Sequence, residues 1–393
     1  MTYAERWLLP DGVEDMLPEK AARIEALRRR MLDLYSRWGY EMVIPPLIEY
    51  TDSLLIGLGQ DIDLLTFKVV DQLSGRTMGI RADITPQTAR IDAHSLQRSG
   101  VSRLCYASHV LYTRPKSPLG TRSPLQTGVE LYGEASLAAD IEVISLLLAS
   151  LQEAGLEQLN MDLGHVGIYR GLIDIAGLDE DQEKVFFELL QSKAVTELNA
   201  WVDESALPAD VAAMLKVLPL LAGDRSVLDR ARSELATAPV GVAKALDELE
   251  AVATAIEQRY PNAGLYFDLA ELRGARYHTS LVFAAFAPGY GAALANGGRY
   301  DHVGEVFGNA RPATGFALDV SALDQLLNPS VETGAAIFAA SSHDPKQWDA
   351  IVSLREAGEK VVNGFAGQEA SDMPIQCDRQ LLLQDGEYKV VAI

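Results

Sequence analysis

The 393-residue sequence predicts an α+β fold: an antiparallel sheet flanked by helices, with a helical insertion and a small C-terminal α/β unit. Three observations point there. Strand-like runs bounded by Gly and Pro are interleaved with amphipathic helical runs in no regular βαβ order. Strand character stops near residue 166, helical patterning holds until about 260, and strands return after Gly264, so the sheet is split in sequence. Asn328-Pro329 then marks a boundary, beyond which short strands accompany one helix near 346–358. The expected division is a core over 1–328, with its insertion at about 166–260, and a domain over 329–393.

Pro18 opens the first helix and Gly39 closes it, with Ile24, Leu27, Met31, Leu34, Tyr35 and Trp38 forming one buried stripe. A strand over Tyr40 to Ile44 is stopped by Pro45-Pro46. The run TFKVVDQLSGRTMGIRADIT reads as a hairpin turning near Ser74-Gly75. Thr85-Pro86 starts a helix to about Arg98, with the threonine as N-cap. Arg103 to Gly133 reads as two strands joined by a long, basic, proline-broken loop. In the second strand Leu125, Thr127, Val129 and Leu131 share one face, while Gln126, Gly128, Glu130 and Tyr132 share the other. That second face puts an amide, a carboxylate and a phenol around a glycine gap, a floor on which a small ligand can lie. A helix at about 138–154 and a strand near 158–163 follow. The helical stretch breaks at Gly177, Pro208, Gly223 and Pro239, and strands run from Leu265 to about Val320.

Composition narrows the function classes. With 34 basic and 55 acidic side chains the net charge is −21, which repels phosphate backbones. The densest basic run, Arg28-Arg29-Arg30, lies on a helix that needs a solvated face, so no nucleic-acid partner is expected. Cys105 and Cys377 fit neither a disulfide framework nor a zinc site, and free thiols suit a reducing cytoplasm. No apolar run is long enough to span a bilayer, and no membrane, metal or cofactor is expected.

Five stretches then resemble histidyl-tRNA synthetases in order and spacing, over roughly residues 5 to 325. WGYEMVIPPLIE, Trp38 to Glu49, resembles motif 1 of class II aminoacyl-tRNA synthetases, the element at that family's dimer interface. IRADITPQTAR, Ile80 to Arg90, carries Asp83 and Thr85 where the family holds the α-amino group of its amino acid; helix capping is an equally open role for Thr85. Motif 2 is the Arg103–Gly133 pair, where Gln126 and Glu130 match amino-acid contacts. A buried Glu130 needs a partner, either a ligand N–H or ammonium, or a salt bridge to Arg122 or Arg273. ELRGARYHTSLVF, Glu271 to Phe283, resembles the family's arginine-glycine block, with Arg273 matching its arginine and Tyr277 and His278 standing where two tyrosines are usual. NGGRYDHV, Asn296 to Val303, places Tyr300 at the imidazole end; taken alone, Asn-Gly-Gly is a hairpin turn.

The resemblance breaks where that family holds ATP. Tyr112 stands at the motif 2 arginine, and in the motif 3 segment TGFALDVSAL, Thr314 to Leu323, Ala322 stands at the second arginine and Asp319 replaces a glycine. One arginine that stabilises charge in phosphoryl transfer is worth on the order of 10³ to 10⁵ in rate. Arg114, two residues beyond Tyr112, is the one candidate substitute, and Pro115 argues that the strand ends before it.

A synthetase-like chain with a kept histidine pocket, lost ATP contacts and a short tail is similar to the regulatory subunits of ATP phosphoribosyltransferase. That resemblance implies a non-catalytic subunit acting in the first step of histidine biosynthesis. It implies a homodimer through motif 1 and assembly with short-form catalytic subunits into a hetero-oligomer, a hetero-octamer being one arrangement. Histidine is the implied effector, binding over Asp83, Thr85, Gln126, Glu130, Arg273, Tyr277, His278 and Tyr300. A divergent active histidyl-tRNA synthetase using Arg114, and a free-standing histidine sensor, remain as alternatives.

Overall fold

The computed structural model describes residues 7–55, 60–116, 120–271, 277–308, 310–327 and 335–393. The chain divides into two compact units, Met1–Pro329 and Ser330–Ile393.

The first unit is built on a nine-stranded sheet. Its strands are β1 (Glu41–Met42), β2 (Ser102–His109), β3 (Leu125–Tyr132), β4 (Leu159–His165), β5 (Ala222–Gly223), β6 (Ala263–Asp268), β7 (Leu281–Phe286), β8 (Ala295–Arg299) and β9 (Ala313–Asp319). They lie in the order β1-β2-β3-β9-β8-β7-β4-β6-β5. From β2 to β4 every pair is antiparallel, as expected from the hairpin spacing. The sheet is antiparallel apart from two places: β1 pairs with β2, and β4 with β6, in parallel. Each of those pairs is joined by a long crossover, the connection that a parallel pair requires.

Helix Pro18–Arg37 buries Ile24, Leu27, Met31, Leu34 and Tyr35, the stripe read from their spacing. It packs with helix Leu137–Ala154 over β3, and Leu27, Met31, Val129, Leu147 and Leu151 belong to one continuous core. Cutting one such leucine back to alanine costs about 2–5 kcal/mol. The Ser74-Gly75 hairpin joins Phe67–Val70 to Thr77–Ile80 within a separate three-stranded sheet, and Asp71 accepts the Leu73 and Ser74 N–H groups at its turn.

The insertion is six helices, Val166–Ala176, Glu180–Gln191, Val195–Glu204, Ala209–Val217, Ser226–Glu234 and Val240–Arg259. Gly177 is a left-handed C-cap, and Pro208 and Pro239 are N-caps. The break at Gly223 is more than a helix end: Ala222–Gly223 forms β5 and hydrogen-bonds to β6, so the insertion returns to the sheet in its middle.

The second unit has a four-stranded sheet ordered Val361–Asn363, Ala336–Ala339, Cys377–Gln384, Glu387–Ala392, with helix Pro345–Glu356 on one face. Ile337, Ala339, Ile351, Val361 and Leu381 form its core. Among the described residues no helix is long and apolar enough to cross a membrane.

Candidate functional site

Glu130 stands in the middle of β3, opposite Gly315 on β9, which in turn faces Gly298 on β8. Both glycines are needed. A Cβ on Gly315 would collide with Glu130 Oε2, and one on Gly298 would lie 2.7 Å from His278 Nε2. The row therefore leaves a floor over which the Glu130 carboxyl and the His278 ring can lie flat.

Glu130 is 1% exposed and is held by hydroxyls. Thr85 Oγ1 donates to its Oε1 at 2.9 Å, Tyr106 Oη donates to the same oxygen at 3.2 Å, and Tyr300 Oη donates to Oε2. The salt bridges to Arg122 or Arg273 left open from the sequence resolve in part. Arg122 instead donates to the Tyr112 and Asp11 carbonyls, and Arg273 lies outside the described residues. No described cation reaches Glu130. Burial pushes its carboxyl up to about 8, against the pull of the Tyr300 and Thr85 hydroxyls, and the negative charge of Asp83 adds to the rise. A carboxyl raised this far is largely protonated near neutrality, and a cation placed beside it would favour the ionised form.

The expectation that Thr85 caps its helix is corrected. Ile84 occupies the N-cap position without a side-chain bond, and Asp83 Oδ1 accepts the Thr85 N–H at 3.1 Å. That leaves the Thr85 hydroxyl to Glu130. Gln126 pins the same turn by accepting the Ile84 N–H at 3.3 Å. The helix itself is α only over Thr85–Arg90 and continues as a π-helix over Ile91–Leu96.

Tyr277 and His278 lie side by side, ring centroids 4.2 Å apart, and burial raises the Tyr277 hydroxyl. Tyr300 rests edge-on against Tyr132 at 6.5 Å. Asp83, Thr85, Gln126, Glu130, Tyr277, His278 and Tyr300 all line one cavity of about 1080 Å³, larger than a single amino acid needs.

Tyr112, Asp319 and Ala322 line the same cavity. Tyr112 is buried, and the Lys116 ammonium sits 4.3 Å from its ring centroid. Asp319 Oδ1 accepts the Ala322 N–H at 3.0 Å and so caps helix Val320–Leu327, while burial raises its carboxyl. That helix start, which would otherwise attract an anion, already holds one. Two further cations line the cavity, and both have partners: Lys20 pairs with Glu14, and Arg23 grips Asp324 in a fork of 2.7 and 3.2 Å. Arg114 is exposed and is not among the lining residues, because β2 ends at His109 and the strand spacing does not extend to it.

Sequence reasoning missed Tyr106, Lys116 and the Arg23–Asp324 pair. Tyr106 was within reach, since it pairs with Gly128 in the β2–β3 hairpin. The other two belong to a loop and to a contact between distant segments, which carry no periodic signal. Among the described residues no cluster of His, Cys, Asp and Glu side chains has the arrangement of a metal site.

Residues 12–323 match the family model described as Histidyl-tRNA synthetase, and residues 334–391 match the model described as ATP phosphoribosyltransferase subunit HisZ C-terminal domain. A protein of Cellvibrio japonicus named ATP phosphoribosyltransferase regulatory subunit is 62% identical over 100% of this chain and 98% of its own length. A protein of the same name from Teredinibacter turnerae is 54% identical over 100% of both. A crystal structure titled as an ATP phosphoribosyltransferase regulatory subunit/histidyl-tRNA synthetase from Bacillus halodurans is 29% identical, with a TM-score of 0.80 over 93% of this chain and 95% of that one. A histidyl-tRNA synthetase from Nostoc, 17% identical, shares the fold with a TM-score of 0.75 over 98% of this chain and 97% of that one.

Proposed function

The chain belongs to the ATP phosphoribosyltransferase regulatory subunit family, and on that premise we propose that it is the non-catalytic, histidine-sensing partner of a short-form phosphoribosyltransferase chain. It activates that chain in the first step of histidine biosynthesis and carries feedback inhibition by histidine. The observation that carries this reading is the contrast within one cavity. Its amino-acid end keeps a buried carboxyl, three hydroxyl donors and a glycine floor, while its other end has, among the described residues, no uncommitted arginine for a nucleotide.

Histidine suits the kept end. Its ammonium or imidazole N–H groups complement Glu130, Asp83 and Thr85, with Gln126 fixing the turn and Tyr277, His278 and Tyr300 around the ring. Arg273, on its family position, is assigned to the ligand carboxylate. At the other end, Tyr112 and Ala322 cannot neutralise a triphosphate, and Asp319 adds negative charge. No adenylation follows, and no cofactor or metal is required.

Assembly is part of the same reading. Met42, Ile44, Leu47 and Ile48 expose apolar surface around the short edge strand β1, with Ile44 78% exposed, which supports a homodimer through that region. The synthetase-like core over 1–328 and the C-terminal domain over 329–393 join catalytic subunits in a cytoplasmic hetero-oligomer, without nucleic acid. Histidine regulates this assembly only by binding its active and inactive forms with different affinity.

The test is reconstitution. This chain is titrated into a short-form phosphoribosyltransferase, and turnover is followed with and without histidine. Turnover rises with added chain and falls on adding histidine; a rate indifferent to the chain would overturn the proposal.

A further inference from the structure

The helical stretch between β4 and β6 carries no sequence motif, yet it meets the pocket at several points. Phe187, Glu188 and Gln191, all on helix Glu180–Gln191, line the cavity. Arg170, on helix Val166–Ala176, donates from Nη2 to the His278 carbonyl at 2.7 Å, directly behind a ring that forms one corner of the site. Lys193 follows helix Glu180–Gln191 with a left-handed φ of 53°, and its ammonium lies 2.8 Å from Asp268 Oδ2 at the end of β6.

These contacts belong to one packed unit. Tyr169, next to Arg170, stacks on Phe186 at 6.3 Å and meets Phe187 edge-on at 6.0 Å, and its hydroxyl donates to Glu183 at 3.3 Å. Phe187 thus touches the neighbouring helix and also faces the cavity. The Lys193 ion pair is largely solvated on the lysine side, so it holds the helix only weakly.

We infer that the insertion is a functional wall of the effector pocket, with helix Glu180–Gln191 closing one side and Arg170 acting as the positioning residue for the His278 corner. The inference rests on the histidine reading given above and extends it: occupancy of the pocket is felt by the insertion, which is where the signal leaves the sheet. A ligand that contacts both the floor and this helix slows local opening of both.

Hydrogen exchange on the full-length chain tests it, with histidine added to a saturation set by calorimetry. The expected result is slowed amide exchange over 180–193 together with 125–132. Slowing of 125–132 with no change over 180–193 overturns the inference while leaving the histidine reading intact. Absence of any calorimetric binding removes the histidine reading, and the inference with it. Arg170→Met is expected to weaken histidine binding about tenfold, with Arg170→Lys recovering part of the loss. A second variant, Glu188→Ala with Gln191→Ala at exposed positions, tests the wall without touching the core. Wild-type affinity in both Arg170→Met and that double variant overturns the inference.

Discussion

The hydroxyl of Thr85 lies 2.9 Å from Oε1 of Glu130, tying the start of one helix to the middle of a strand 45 residues later. This bond brings two separate sequence motifs together in one corner of the proposed binding site. At the same turn Asp83 Oδ1 accepts the N–H of Thr85, the first residue of that helix.

Glu130→Gln keeps the shape of that corner and removes its capacity to ionise. Truncating the anionic side of a buried ion contact costs about 2 kcal/mol or more, so histidine affinity is expected to fall at least roughly 30-fold. Isothermal calorimetry reads the change, and an unaltered Kd would remove Glu130 from the site.

The same residue gives the protein a pH signature. Its folded pKa of about 8 lies above the free-glutamate value of about 4.3. The native state therefore holds a proton that the unfolded state releases between those values. The Glu130 contribution to stability is full below about pH 4.3, declines as pH rises through 8, and levels off above. Over that window the loss is on the order of a few kcal/mol. Glu130→Gln should flatten this limb in Tm against pH. Histidine binding near neutrality should release a proton, seen as a calorimetric heat that varies with buffer ionisation enthalpy.

Histidine-dependent exchange of labelled pyrophosphate into ATP should stay at background for the wild-type chain. On the proposed reading Tyr112 and Ala322 stand at former arginine positions, and with Lys20 and Arg23 engaged in ion pairs and Lys116 over the Tyr112 ring, the described residues of the cavity offer little with which to bind a triphosphate. Exchange above background would restore the synthetase alternative.

Ile44→Asp combined with Leu47→Asp should leave the fold within about 0.5 kcal/mol of the wild type, since both side chains are exposed. Sedimentation velocity should nevertheless show the proposed homodimer dissociating. A dimer that persists unchanged would move the interface elsewhere on the chain.

Much of the architecture was readable from residue spacing. The stripe from Ile24 to Tyr35, the breaks at Gly177, Pro208 and Pro239, and the two-sided β3 all follow from local periodicity and backbone chemistry. Spacing within one strand says nothing of its neighbours, so Tyr106, one strand over, is found only by pairing β2 with β3. Thr85 was misread for a related reason. A threonine before a proline looks like a cap until a carboxyl 45 residues away claims its hydroxyl. The insertion wall was hidden differently, because Phe187 and Glu188 look like any amphipathic helix until the chain folds back on the sheet.

The Asp319 cap bears on the history of the protein. The carboxylate stops its own helix, a structural duty that, on the proposed reading, is separate from the chemistry given up. On the proposed reading, a lineage returning to tRNA charging must rebuild two arginines and also dislodge a residue its architecture now leans on. Each step taken singly brings no benefit, so the loss behaves as a ratchet.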